Sequence, residues 1–208
     1  MVGKPSDSAA QMRLITDAPY EASTRVSLEG YVGKQAMEGS YDFEANRALL
    51  KIYQCFPDQT NMDCVVKSLV LSLMRLPRID YLSLTSLLST KMIRNADVLV
   101  VQKASDMLEA GRFKEFWAHC VSEDWVSKVF KVTGFEDAIR VHIVKLSMIT
   151  FSTVSKPELQ ALLGFFDPTH LDKFCSTLGA ACVAGVSGET VTMKKSAQNS
   201  GKGQAGPG

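Results

Sequence analysis

Ala45, Ala48, Leu49, Ile52, Tyr53 and Phe56 recur at spacings of three and four, which puts them on one face of an α-helix. Asp42 stands at its N-cap, Glu44 falls in the first turn where the helix dipole favours an anion, and Pro57 cannot extend the hydrogen-bond ladder. A shorter amphipathic segment, Leu28 to Met37, leads into it. The template returns at Met62, Val65, Val66, Leu69, Val70 and Leu73, with Thr60 and Asp63 at capping-box spacing and Pro77 as the stop. A weaker helix is expected from Asp80 to Ser89, and a longer one from Ala96 to Ala110, where Gly111 is the stop signal. Phe113, Phe116, Trp117, Cys120 and Val121 mark another, with Trp117 as a core anchor. Trp125, Val126, Val129 and Phe130 mark the next, closed by Gly134. Short helices in close succession predict antiparallel helical hairpins stacked into an array, with no strict repeat period.

The pattern changes at Phe135. Ala138, Ile139, His142, Ile143, Leu146 and Ile149 make one apolar stripe, and Val141, Val144, Met148 and Phe151 make a second, as in a helix buried on two sides. Ser155 and Glu158 then form a capping box for a short helix ended by Gly164. In the next helix Asp167 caps, Pro168 takes the first turn, and Leu171, Phe174, Cys175 and Leu178 face inward. The stretch "ACVAGVSGETVTM", Ala181 to Met193, alternates like a hairpin, and Ser152 to Val154 reads as a very short first strand. Two short helices followed by a hairpin predict a winged helix-turn-helix. Its strand Ala181, Cys182, Val183 and Ala184 would lie at the edge of the sheet with no Lys, Pro or bulge to protect it. That makes it the candidate partner interface, with prolines at Cys182 and Val183 expected to separate inner from outward hydrogen bonds. The final stretch is rich in Gly, Ser and Lys, without apolar periodicity, and is expected to be disordered and dispensable for the core.

The reading is thus a mostly α protein: an N-terminal leader over 1–24, a HEAT/TPR-like helical-repeat domain over 25–133, a linking helix and winged-helix domain over 134–193, and a tail over 194–208. The 208 residues, 46% hydrophobic and 22% charged, suffice for such a core. A net charge of +1 gathers neither nucleic acid nor anionic membrane, so such binding would need a local patch. No apolar run is long enough to span a membrane, and Met1 to Ala10 carries no signal core, so a cytoplasmic protein is expected. Cys55, Cys64, Cys120, Cys175 and Cys182 lack C-x-x-C spacing and read as reduced thiols.

Candidate chemistry is sparse. Gly201, Gly203 and Gly206 have the G-x-G-x-x-G spacing but open no helix that could receive phosphate. Neighbours on a helix point about 100° apart, so His119 and Cys120 cannot pair as base and nucleophile; His119 is expected on the solvent side. His142 reads as a core histidine, since no ligand spacing accompanies it, and His170 as a surface residue. Ser187 sits in a turn rather than a nucleophile elbow. The expectation is no catalytic residue, no cofactor, no metal and no small-molecule substrate. The second winged-helix helix offers Lys173 against Asp167 and Asp172 and no arginine, which favours protein contact over groove reading. Lys173, Lys194, Lys195 and Lys202 are the candidates for a weak RNA contact; about three phosphate contacts give a salt slope near three.

The stretch "LEGYVGKQAMEGSYDFEANRALLKIYQCFP" resembles the subunit K family of eukaryotic translation initiation factor 3, matching its pattern from Leu28 through Gln54. "DMLEAGRFKEFW" is similar to a stretch shared with relatives in the proteasome lid and the signalosome, and "TGFEDAIR" is a third anchor. The family usually has Trp where Ala180 stands here. The resemblance implies a PCI-like fold, a helical repeat followed by a winged helix. It also implies a non-enzymatic scaffold beside subunit L, in the complex that loads the small ribosomal subunit. A winged-helix RNA binder and a scaffold of another PCI complex are the alternatives.

Overall fold

A computed structural model describes residues 5–18, 20–128, 132–177 and 179–194. Val129, Phe130, Leu178, Lys195, Lys202 and the glycine motif of the tail lie outside the described residues. The chain divides into two compact units, Met1–Ala138 and Ile139–Gly208. It is mostly helical, and no described helix is long and apolar enough to cross a membrane.

The first unit holds α1 (Pro5–Asp17), α2 (Ala22–Glu38), α3 (Phe43–Cys55), a 3-10 turn (Pro57–Gln59), α4 (Met62–Leu73), α5 (Asp80–Thr85), α6 (Thr90–Ile93), α7 (Ala96–Glu109), α8 (Phe113–Cys120) and α9 (Glu123–Lys128), together with the start of α10 (Phe135–Thr150). The α3 cap is as expected, Asp42 accepting from the Ala45 N–H at 3.1 Å. The α4 cap is not: Asn61 accepts from the Asp63 N–H at 3.1 Å, while the buried Thr60 hydroxyl has no partner among the described residues. An Asx turn one residue nearer the helix displaces the expected capping box. The segment expected as a leader folds as α1, which packs on α2 and α3 and is tied to the α3 cap by Ser8 Oγ donating to Asp42 Oδ2 at 2.6 Å. The expected helix from Asp80 to Ser89 stops at Thr85, and Ser89 instead caps α6 by accepting from the Met92 N–H.

Much of the "LEGYVGKQ…EAN" stretch is a buried polar lock between α2 and α3. Gln35 and Asn46, both fully buried, exchange amide bonds: Gln35 Oε1 accepts from Asn46 Nδ2 at 3.2 Å and Gln35 Nε2 donates to Asn46 Oδ1 at 3.4 Å. Gln35 Oε1 also accepts from the Asp42 N–H at 2.7 Å. Glu29 accepts from Tyr53 Oη and from Arg25 Nη1, both at 2.8 Å. Buried amides satisfied on both sides fix the register of two helices in a way apolar contacts do not.

At the other end of the array the aromatic rings cluster. Phe116 meets Trp117 edge-on at 4.9 Å and Trp125 at 6.1 Å, and Trp125 meets Phe135 at 5.4 Å. His119 belongs to this cluster, which corrects its solvent-side reading. Its ring lies against Trp125 at 5.4 Å and its Nε2 donates to the Val100 carbonyl at 3.0 Å. The neighbouring helix α7 supplies that acceptor, so the helical period of α8 alone could not reveal it.

α2 ends at Gly39, whose φ of +65° is left-handed and whose N–H donates to the Gln35 carbonyl. A Cβ there would stand 2.8 Å from the Thr133 carbonyl oxygen, in a segment held by Thr133 N–H donating to the Ala36 carbonyl at 2.8 Å. Conformation and space both demand glycine. Gly39→Ala is expected to cost about 1–3 kcal/mol in chemical denaturation. A variant that unfolds with the wild-type midpoint would show that this turn gives way freely.

The second unit continues α10 and adds β1 (Thr153–Ser155), α11 (Lys156–Leu163), α12 (Pro168–Ser176), β2 (Val183–Ser187) and β3 (Thr190–Met193). Ser155 and Asp167 cap α11 and α12 as expected, accepting from the Glu158 and Thr169 N–H groups, and Gly164 takes φ +66° at the end of α11. Of the two stripes on α10, Ile139, His142, Ile143 and Val144 are buried, but Ile149 and Phe151 are exposed, so the apolar pattern fades before the helix ends. The sheet order is β1-β3-β2, all antiparallel, the arrangement of a winged helix.

Candidate protein interface on the winged helix

β3 is the middle strand, so among the described residues each flanking strand keeps one unpaired side. β2 follows a turn rather than a loop: the Gly179 N–H donates to the Phe174 carbonyl at 2.8 Å, and the Cys182 and Val183 N–H groups both donate to the Gly179 carbonyl, at 2.9 and 3.1 Å. Ala181 and Cys182 therefore precede the strand, and of the expected edge residues only Val183 and Ala184 lie within it. Helix-like hydrogen bonding carried on past α12 delays the extended backbone by two residues. Proline at Cys182 or at Val183 would break a turn bond in either case, so that pair cannot separate inner from outward groups.

The outward groups are found from the register. On β3 the Met193 N–H donates toward β1, to Ser152 at 2.9 Å, whereas the Lys194 N–H donates to the Cys182 carbonyl at 2.7 Å. Alternation along the strand then turns Thr190 and Thr192 toward β2, opposite Ser187 and Gly185. Val186, opposite Val191, is left with its N–H and C=O directed at the open edge. A shift in register between Val183 and Gly185 places a bulge at Ala184. Gly185 and Val186 are thus edge residues that periodicity missed, because only the partner strand reveals which groups are spent.

Beside this edge runs an open groove of about 490 Å³ between β2 and α12, lined by Cys175, Ala180 and Val183 to Val186, and bridged by Lys156 Nζ and Asp172 Oδ1 at 3.1 Å. Its walls are mostly small and apolar, and Val186 is 42% exposed. This edge can accept an extended strand, main chain to main chain, while the groove receives a side chain.

The remaining candidates are dispersed. Lys173 is exposed on α12, but Lys194 is turned back, its Nζ donating to the Ala180 carbonyl at 2.8 Å. α12 exposes Thr169, His170 and Asp172 around Lys173, and Asp167 is held below the usual carboxylate range, chiefly by the Thr169 backbone N–H and then its hydroxyl. Cys64 is pushed up to about 11 by burial above all, and burial likewise raises the Cys175 and Cys182 thiols. His142 is buried, and burial followed by the charge of Lys145 lowers its pKa.

Comparison with known proteins covers most of this fold. The family model described as the CSN8/PSMD8/EIF3K family matches residues 59–185. Curated relatives named eukaryotic translation initiation factor 3 subunit K include one from Drosophila persimilis, 31% identical over 160 residues, covering 77% of this chain and 71% of the relative. Those of Drosophila grimshawi and Drosophila yakuba are each 33% identical, the former over 73% of this chain and 68% of its own length, the latter over 77% and 71%.

Proposed function

The chain belongs to the CSN8/PSMD8/EIF3K family, and from that membership we propose that it is a non-enzymatic structural subunit of eukaryotic translation initiation factor 3. It works in the cytoplasm, beside subunit L, in forming the 43S preinitiation complex on the small ribosomal subunit. The observation that carries the assembly role is the open β2 edge: among the described residues Val186 offers an unpaired N–H and C=O beside an apolar groove, and beyond the bulge at Ala184, which the expectation of an unprotected strand did not include, no Lys or Pro guards the strand. Catalysis has little to work with. His119 spends its ring nitrogen on the Val100 carbonyl, and a thiol whose pKa is raised by burial is a poor nucleophile at neutral pH.

The test compares two prolines in the same strand. Val186→Pro removes an outward donor and is expected to leave the isolated protein folded while weakening its co-purification with subunit L at least tenfold, about 1.4 kcal/mol or more. Gly185→Pro removes an inner ladder bond and is expected to loosen the winged helix itself. Stoichiometric recovery of subunit L and the other factor subunits with Val186→Pro would exclude the edge as the interface. Recovery of proteolytic partners in place of initiation-factor subunits would overturn the assignment to factor 3.

A further inference from the structure

The helical unit carries a concave surface of its own, built from residues the assembly role does not use. α5 packs on α3 and α4 while α6 packs on α7, and the space left between α5 and α7 is a groove of about 230 Å³. Leu88 and Val98 form its floor, 8% and 2% exposed, and Leu82 and Ile93 rise at its sides, 69% and 40% exposed. Such a volume falls below the range of small-molecule pockets but far above that of a single water. It suits the anchoring side chains of a peptide.

One wall is charged. Gln102, Ser105, Asp106 and Glu109 stand at helical spacing along one stripe of α7, and both carboxylates line the groove with no Lys or Arg partner among the described residues. Among the described residues, Glu109 accepts from Ser105 Oγ, at 3.4 Å. Tyr81, nine-tenths buried, also lines the groove. Its hydroxyl lies alongside that of Ser105, which can accept from it while donating to Glu109.

From this juxtaposition of an apolar floor, exposed leucine and isoleucine walls and an unpaired acidic rim, we infer that the α5–α7 groove docks a short amphipathic segment of another protein, with apolar anchors and Lys or Arg along its flank. The rim repels RNA and anionic lipid, which share its charge. The site is independent of the β2 edge and of the assignment to factor 3.

The probe is a fluorescein-labelled amphipathic helical peptide with Leu on one face and Lys on the flanks, titrated into the full chain and followed by anisotropy. Its control carries Glu in place of each Lys. Saturable binding with Kd below about 100 µM, at least about tenfold tighter than the control and weakened by added salt, is expected. Asp106→Asn with Glu109→Gln is expected to weaken the Lys peptide about tenfold and flatten the salt dependence. Leu82→Ser, a change at an exposed position that leaves the thermal midpoint in place, is expected to weaken it as much. Equal binding of the two peptides, wild-type affinity in either variant, or no saturable binding overturns the proposal. Preferential binding of single-stranded RNA that Leu82→Ser abolishes would assign the groove to a different class of partner.

Discussion

Trp125→Ala is expected to lower the stability of the helical unit by about 3–5 kcal/mol, the range for deleting a large aromatic side chain from a core. Trp125 is 1% exposed and is the largest fully buried side chain among the described residues. Its indole touches Phe116, Phe135 and His119, so truncation leaves three rings facing a void that helices α8 and α10 cannot both move to fill. The control is its neighbour Val126, 48% exposed, whose replacement by alanine should change stability by less than about 0.5 kcal/mol. Equilibrium denaturation followed by tryptophan fluorescence in the control, and by circular dichroism in both, decides it. A Trp125→Ala variant within 1 kcal/mol of wild type, roughly the scale of a surface change, would mean the cluster repacks.

Gln35→Leu is expected to cost nearly as much, about 2–5 kcal/mol, by a different route. Leucine fills much of the space, but the Asp42 N–H and the Asn46 side-chain amide are left buried without the acceptor they share, and each orphaned group costs about 1–3 kcal/mol. Asn46→Leu should cost less, since it leaves Gln35 still bonded to Asp42. The two changes together should fall short of their sum by about 1 kcal/mol or more, because removing both amides orphans only the Asp42 N–H, fewer groups than the two single changes orphan between them. Additive losses in that double-mutant cycle would show that the amides do not act as a pair.

Much of the fold was legible because it is decided locally. A cap is a contact between residues two or three apart, so Asp42, Ser155 and Asp167 could be read from sequence, as could the glycine stops at Gly111 and Gly164. What the sequence hid depends on partners distant along the chain. α1 has no strong apolar stripe and is held partly by Ser8 on the α3 cap; His119 looked solvent-facing until α7 supplied a carbonyl. Gln35 and Asn46 stood in plain view inside the family-like stretch, yet apolar periodicity assigns no role to a buried amide. At the candidate interface the edge position of the strand was legible, but its true outward residue, Val186, was not. A bulge at Ala184 changes the parity, and a bulge is defined only against β3.

The hydrogen bond from Thr133 to the Ala36 carbonyl sets a timetable for synthesis. α2, α3 and α4 can pair as soon as they leave the ribosome, since their contacts lie close together in the chain. The Ala36 carbonyl has no donor from Thr133 until that residue has been made, which at 5–20 residues per second takes roughly 5–20 s. Through that interval the nascent helices are held by neighbours alone, with the Gly39 turn already shaped for a segment not yet translated. The last carbonyls of α2 are therefore finished by the second half of the chain, and a chain arrested before Thr133 would emerge with α2 capped at Gly39 but with Ala36 left to solvent.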